Sequence, residues 1–258
     1  MNSLRRELEY FFGALRFFTR LPVPAWVGHS SEALERSIRY FPAVGLIIGS
    51  AAAVCFTLGV CFWPKTLAVL ASMALTLMLT GIFHEDGWSD MVDGFGGSFE
   101  RDKDKDRAQI LRIMKDSRLG SFGAVALIVM LLAKFCTLVE IDLWLLPSAL
   151  LAGHAFSRLC ATGVMRGLDY VREEGKAKPL SSAIHPGELA FAGLCALLPL
   201  LLLPLPQALC AVALALLATL WLARLFKRRL GGYTGDCLGA TQQLSELAFY
   251  CGLLCRFS

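Results

Sequence analysis

Charge is scarce in this chain: Asp, Glu, Lys and Arg make up 18% of its 258 residues, against roughly 25% in an average soluble domain. Nine cysteines stand at 55, 61, 136, 160, 195, 210, 237, 251 and 255 with no CxxC pair. Their odd number and apolar surroundings argue against a disulfide frame and a zinc site. HEDGW at 84–88 has no second His where HExxH requires one, which excludes a zinc protease. GFGGSF lacks the GxGxxG spacing and no GxxxxGK[ST] occurs, so neither a Rossmann nor a P-loop nucleotide site is supported. DKDKDR at 102–107 starts like a calcium loop, but Arg107 stands where Gly is required and Ile113 where the closing Glu belongs, leaving a solvated charge run. The first 26 residues have no continuous apolar core or small-residue cleavage site, so they do not read as a signal peptide. No internal repeat or low-complexity linker divides residues 1–258, and one membrane-embedded domain is expected.

What the chain has instead is apolar residues, 56% of the total, gathered into blocks near the ~20-residue length that crosses a bilayer as a helix. The blocks are 42–62, 65–83, 121–139, 143–165, 189–203, 206–223 and a weaker 238–255. They predict an all-α, polytopic integral membrane bundle of six to seven transmembrane helices. Residues 1–26 mix Arg5, Arg6, Glu7, Glu9, Arg16 and Arg20 with aromatics and predict an amphipathic helix, ended near Leu21 by Pro22 and Pro24. It would lie in the membrane interface or, equally well, dock on the protein itself. The short links near 63–65, 140–142 and 204–206 fall on one side if every block spans. The long ones, about 84–120, 166–188 and 224–237, fall on the other with the N-terminal segment, and that side carries 21 of the 25 Lys and Arg residues. The positive-inside tendency makes that side cytoplasmic. A net charge of +4 is then a topology signal and not a nucleic-acid footprint. Whether copies associate into a homo-oligomer is left open. Lys134 and Arg158 sit inside apolar blocks; Lys134 fits snorkelling or an ion pair, while a buried Arg158 wants an anion.

The sequence HEDGWSDMVDG at 84–94 puts acids at the lip of a membrane segment. If the preceding helix continues through 80–93, Asp86, Asp90 and Asp93 fall within about 60° of one another. Three like charges on one stripe beside a low-dielectric phase call for a cation, and hard carboxylate oxygens favour Mg²⁺, Mn²⁺ or Ca²⁺. Glycines at 87 and 94 would let a bulky ligand approach the backbone. Phosphate-friendly pieces lie in the long links. Lys115, Asp116, Ser117 and Arg118 precede a helix start at Gly120 whose free N–H groups could hold an anion. Lys176 and Lys178 lie in REEGKAKP, and Gly231, Gly232, Thr234, Gly235 and Asp236 form a polar turn after Lys227-Arg228-Arg229. Each alone reads more simply as lipid contact or turn chemistry. Together with the acidic row they suit a metal-bound pyrophosphate.

In combination, FFTRLPVP at 17–24, YFPAVGLIIG at 40–49, FHEDGWSDMVDGFGG at 83–97, ILRIMKDSRLGSFGAVAL at 110–127, YVREEGKAKP at 170–179 and RRLGGYTGDCLGATQQLSELA at 228–248 resemble the adenosylcobinamide-GDP ribazoletransferase family, or cobalamin-5′-phosphate synthases. The resemblance runs over nearly the whole chain. It implies joining of adenosylcobinamide-GDP to α-ribazole or its 5′-phosphate with release of GMP and a need for Mg²⁺. It maps the acidic motif to Asp86, Asp90 and Asp93, with His84 and Glu85 beside them. On that basis Asp86 and Asp90 hold one or two Mg²⁺ ions, with Glu85 and Asp236 as further ligands, and Asp93 is a ligand that doubles as base. Lys115, Asp116, Ser117, Arg118, Arg158, Lys176, Lys178, Gly232 and Thr234 contact substrate. His84, off the acidic stripe, is assigned packing or hydrogen bonding. The row is also analogous to the Asp-rich helix of CDP-alcohol phosphotransferases, although their DGxxAR arrangement is absent. A rival reading is a cation- or proton-coupled transporter using the acidic row with Lys134 and Arg158.

Overall fold

The computed structural model describes residues 3–172 and 185–255. Among them the chain is helical, with one isolated β-bridge and no strand. Two helices precede the first apolar block, α1 (Ser3–Phe18) and α2 (Ser31–Arg36). All seven blocks are helical: α3 (Phe41–Gly59), α4 (Lys65–Thr80), α7 (Ser121–Glu140), α8 (Leu146–Gly167), α9 (Pro186–Leu197) with a 3-10 turn at Leu198–Leu202, α10 (Leu205–Leu230) and α11 (Gly235–Leu253). Between α4 and α7 lie α5 (Phe83–Gly97) and α6 (Lys103–Ile113). Prolines stand in the first turn of α3, α8, α9 and α10, where a fixed φ and a missing N–H suit a helix start.

Three helical stretches are long and apolar enough to cross a membrane unaided, Glu32–Gly59, Ser121–Glu140 and Leu205–Leu230, and α4 with α5 makes a fourth across an 86° bend. The helices α8 and α11 have 22 and 19 residues. They are less apolar because they carry the polar side chains of the bundle's interior, so a count of six to seven spans rests on including them. Val125, Ile128, Val129 and Leu132 of α7 are more than half exposed. Their i, i+3, i+4, i+7 spacing makes one continuous apolar face, which suits lipid and not water.

Packing inside the bundle relies on small residues, as expected where lipid removes the hydrophobic drive between helices. One such close approach joins α3 to α8. A methyl group at Gly49 would lie 2.8 Å from the Leu150 carbonyl oxygen, and one at Gly45 would overlap that of His154. The central helix α11 packs on α10, α5, α8 and α7. At one end Lys65 Nζ donates to the Val139 carbonyl at 2.6 Å and to that of Ile141, tying two short links together.

The long links gather at the other end. Val171 N donates to the Tyr233 carbonyl at 3.0 Å and Tyr233 N to that of Asp169 at 2.9 Å, forming the β-bridge. Arg229 of α10 reaches Asp106 of α6 at 2.8 Å, and Ser98 Oγ donates to the same carboxylate at 2.7 Å. These hydrogen bonds, Arg229's foremost, hold the Asp106 carboxyl below the ordinary carboxylate range. Asp106 thus departs from the solvated charge run expected of 102–107, while Asp102 caps α6 by accepting from the amides of Asp104 and Lys105. The N-terminal helix ends at Phe18 and docks on the bundle, burying Ala14, Leu15 and Phe18 while Leu4 and Leu8 stay exposed.

Candidate active site at the crossing of α5 and α11

The helix carrying the acidic row is not a continuation of α4. Gly81 (φ 66°) and Ile82 (φ 64°) are both left-handed and turn the chain before Phe83. For a β-branched residue this costs roughly 1–2 kcal/mol. The Arg20 side chain lies where a Gly81 Cβ would be, and Arg20 N donates to the Leu79 carbonyl at 2.7 Å, so the N-terminal segment braces the elbow. Because 83–97 is itself helical, the acidic spacing survives the break.

Glycines set the crossing. A Cβ at Gly87 would lie 2.9 Å from the Asp236 carbonyl oxygen, and one at Gly239 would lie 3.3 Å from the Gly87 Cα. That approach brings the Asp86–Asp90 edge of α5 alongside the first turn of α11. Asp86 is exposed, and Asp90 and Asp236 are half-buried. The charges acting on Asp90 are those of Asp86, Asp236, Arg172 and Asp93. The one cation among them, Arg172, donates from Nη2 to Asp236 Oδ2 at 2.7 Å. Three acids against one base leave the cluster with surplus negative charge.

The remaining acids of the motif face elsewhere. Asp93 is buried and accepts from Gly120 N at 2.8 Å and Gly123 N at 2.7 Å, one bond to each oxygen. The helix start assigned to a phosphate is therefore filled by Asp93 itself, which caps α7 from a neighbouring helix. With one bond to each oxygen, Asp93 positions the start of α7, a contact that the base and metal-ligand roles read from the stripe did not include. Glu85 turns inward, accepting from Gln243 Nε2 at 2.8 Å. His84 is buried and stacks on Phe18 with centroids 5.4 Å apart, the packing role expected of it.

The phosphate-friendly pieces divide too. Lys115, Ser117 and Arg118 are exposed in the link to α7, and Arg118 is folded onto Asp116, Nη2 to Oδ2 at 2.6 Å. Gly232 sits where a side chain would overlap the Asp169 carbonyl. Thr234 caps α11 by accepting from Cys237 N; both build the turn that presents Asp236. Arg158 is 1% exposed and donates from Nη1 to the His154 carbonyl at 2.8 Å. Lys176 and Lys178 lie outside the described residues. Two contributors escaped sequence reading, Arg172 and Gln243. Arg172 belongs to the same YVREEGKAKP run, but only the β-bridge, a long-range pairing without local signature, carries it to Asp236. A glutamine within an apolar helix gives no sign of which acid it meets.

Deeper in the bundle, Lys134 Nζ pairs with Glu246 at 2.9 Å and donates to Gln243 Oε1 at 2.8 Å. His154 Nδ1 lies 3.0 Å from the other Glu246 oxygen. Lys134 is therefore in a buried ion pair.

Among the described residues no three Asp, Glu, His or Cys side chains converge into a metal cage. The oxygen donors at the crossing nonetheless fit Mg²⁺, which characteristically takes one or two carboxylates and leaves its other positions to phosphate and water.

A family model described as cobalamin-5-phosphate synthase matches residues 10–254. The chain belongs to that family. It is 45% identical to the adenosylcobinamide-GDP ribazoletransferase of Shewanella amazonensis, covering 100% of this chain and 99% of the relative. It is 44% identical to that of Ralstonia pickettii over the full length of both, and 45% identical to that of Ralstonia nicotianae over 96% and 95%. No solved structure matches.

Proposed function

We propose that this protein joins adenosylcobinamide-GDP to α-ribazole or its 5′-phosphate and releases GMP, as a Mg²⁺-dependent transferase of the bacterial cytoplasmic membrane with its site facing the cytoplasm. The observation that carries the reading is the meeting of Asp86 and Asp90 with Asp236 across the glycine crossing, in a chain whose full-length relatives bear that activity as their name. The concentration of Lys and Arg on the same end supports the orientation.

In this reading an oxygen–phosphorus bond forms between a ribazole hydroxyl and the phosphorus bearing cobinamide. The bond from that phosphorus to the bridging oxygen breaks, and GMP leaves with that oxygen. Asp90 and Asp236 would hold Mg²⁺, and Arg172 fixes the Asp236 carboxylate. When bound, the metal supplies positive charge against the diphosphate oxygens. Asp86, the exposed member, takes the proton of the attacking hydroxyl. Lys115 and Arg118, with Lys176 and Lys178, hold phosphates, which requires Arg118 to leave Asp116.

The test supplies adenosylcobinamide-GDP with each acceptor to purified protein in lipid nanodiscs, with Mg²⁺ or with excess chelator, and follows GMP. Mg²⁺-dependent release that needs an acceptor is expected. No release from the wild-type protein, or undiminished release under chelation, overturns the reading.

A further inference from the structure

The aim of Asp86 and Asp90 at Asp236 depends on how α5 is rotated about its own axis relative to α11. The elbow at Gly81 and Ile82 breaks α5 off from α4, and no side chain caps its N-terminus. At the crossing Gly87 meets Gly239, and two facing glycines allow close approach while offering no side chain to interlock. Helical side chains end about 5–6 Å from the axis, so a roll of ~20° moves a carboxylate by roughly 2 Å. Trp88 and Asp93 tie α5 to α7. Among the described residues, a single side-chain hydrogen bond ties it to α11, from Gln243 to Glu85.

That bond lies on the same face of α11 as the acid of the site. Asp236, Gly239 and Gln243 recur at i, i+3 and i+7, so one stripe shows α5 an acid, then the crossing glycine, then an amide. Gln243 Nε2 donates to Glu85 Oε1 and to Gln242 Oε1, both at 2.8 Å, and Gln243 Oε1 accepts from Lys134 Nζ at 2.8 Å. Glu85 and Gln243 are 7% and 2% exposed, and Glu85 Oε2 has no partner, so the amide is this carboxylate's one hydrogen-bond tether. The amide is fixed in its orientation, because turned over it would set its NH₂ against the ammonium and its oxygen against the carboxylate. Neither charge serves at 243. An acid there opposes Glu85, and a base opposes Lys134.

We propose that Gln243 and Glu85 are positioning residues for the transfer, their hydrogen bond fixing the roll of α5 so that Asp86 and Asp90 face Asp236. This deepens the reading given above and rests on it. Glu85 stands ~100° around the helix from Asp86, its neighbour in sequence, so a tether on the first sets the direction of the second. Lys134, itself paired with Glu246 at 2.9 Å, holds the amide from behind. The buried cluster thereby acquires a task at the site. In this role Glu85 touches neither metal nor substrate.

Full-length protein in nanodiscs tests this by turnover, by hydrogen exchange and by swapping the two side chains. Gln243→Met keeps the volume and removes the hydrogen bonds. It is expected to lower kcat for GMP release by about tenfold to a hundredfold, as for a misplacement near 1 Å, with both KM values within about twofold of wild type. Without donor or Mg²⁺, the α5 amides of this variant are expected to exchange about tenfold faster while those of α10 stay as in wild type. Gln243→Glu sets two carboxylates face to face and is expected to lose at least as much turnover. Combined with Glu85→Gln it restores one amide and one carboxylate in reversed places, with an oxygen still facing Lys134. That swap is expected to bring kcat back to within about threefold of wild type, a strong non-additivity. Unchanged turnover in Gln243→Met, lost turnover with α5 exchange unmoved, or a swap no more active than Gln243→Glu overturns the proposal. The last outcome would mean that the site needs the Glu85 carboxylate itself. Where a single variant fails to fold, the swap decides by its own turnover and α5 exchange. If wild type releases no GMP, the transfer reading fails on its own, while the exchange measurements still decide whether Gln243 holds α5.

Discussion

Two groups of acids lie on helices that share the α5–α11 crossing, and they are treated in opposite ways. Around Glu246, deep in the bundle, Lys134, His154 and Gln242 meet both carboxylate oxygens, and Gln243 ties the cluster to Glu85. At the end of the bundle, Asp86, Asp90 and Asp236 share one guanidinium, that of Arg172. A buried charge without partners is too costly to persist, so the inner group is closed by the protein's own cations and amides. The outer group, half in water, can carry a deficit of cations. That deficit is what the proposed Mg²⁺ would offset. The contrast also removes the transporter reading's support, because the intramembrane Lys134 is already spent on Glu246.

The sharpest way to break the contrast is to reverse which group tolerates a change. Glu246→Ala strands Lys134 in a dry interior and is expected to cost about 3–5 kcal/mol of stability, seen as a large fall in the melting midpoint of detergent-solubilised protein. Asp90→Asn is expected to do the converse, lowering GMP release at saturating Mg²⁺ by at least about a hundredfold with the melting midpoint nearly unmoved. If Asp90→Asn destabilises as much as Glu246→Ala, or leaves turnover intact, the outer cluster is structural and the comparison fails.

The two groups also differ in how far sequence reveals them. Block lengths, turn prolines and the 86–90–93 spacing are local signals, and they gave an all-helical membrane bundle with acids at the end of an apolar segment. The same spacing did not show what Asp93 meets, because a helical wheel reports direction around one helix and not what stands opposite. The start of α7, with glycines at 120 and 123 leaving room, lies opposite Asp93. The break at Gly81-Ile82 was hidden for a related reason. A lone glycine is compatible with a helix interior, and nothing local announces that an isoleucine will adopt φ 64°. Arg172 became legible only once the β-bridge had brought residues 169–172 to the turn before α11.

Asp93 occupies a middle position between the two groups, buried like Glu246 but on the acidic helix, and a double-mutant cycle places it. Asp93→Ala removes two charge-assisted hydrogen bonds and is expected to cost about 3 kcal/mol. Gly120→Ala on its own is expected to be comparably damaging, because the new methyl would overlap the Asp93 carboxylate. With Asp93 already alanine that space is vacated, so the second change adds little and the cycle shows strong non-additivity in melting experiments. Additive losses would mean that the carboxylate does not sit on the α7 amides.

The smallest expected effect concerns Asp106, which links α6 to Arg229 at the rim of the same end. Its folded-state carboxyl is held below the ordinary range by Arg229 and Ser98, so the unfolded chain binds its proton at a higher pH than the folded one. The contribution is fully present above the unfolded carboxylate value of about 4 and fades as pH falls through the lower folded value. Asp106→Asn is therefore expected to cost on the order of 1–2 kcal/mol at neutral pH, and the gap between variant and wild type should narrow as pH falls from about 5 towards 3. Hydrogen exchange of the α6 amides in both proteins across that range measures the gap directly, and the difference cancels the other carboxylates titrating alongside. A gap independent of pH would show that the side chain acts through packing, and would leave α6 held to α10 by contacts other than the Asp106–Arg229 pair.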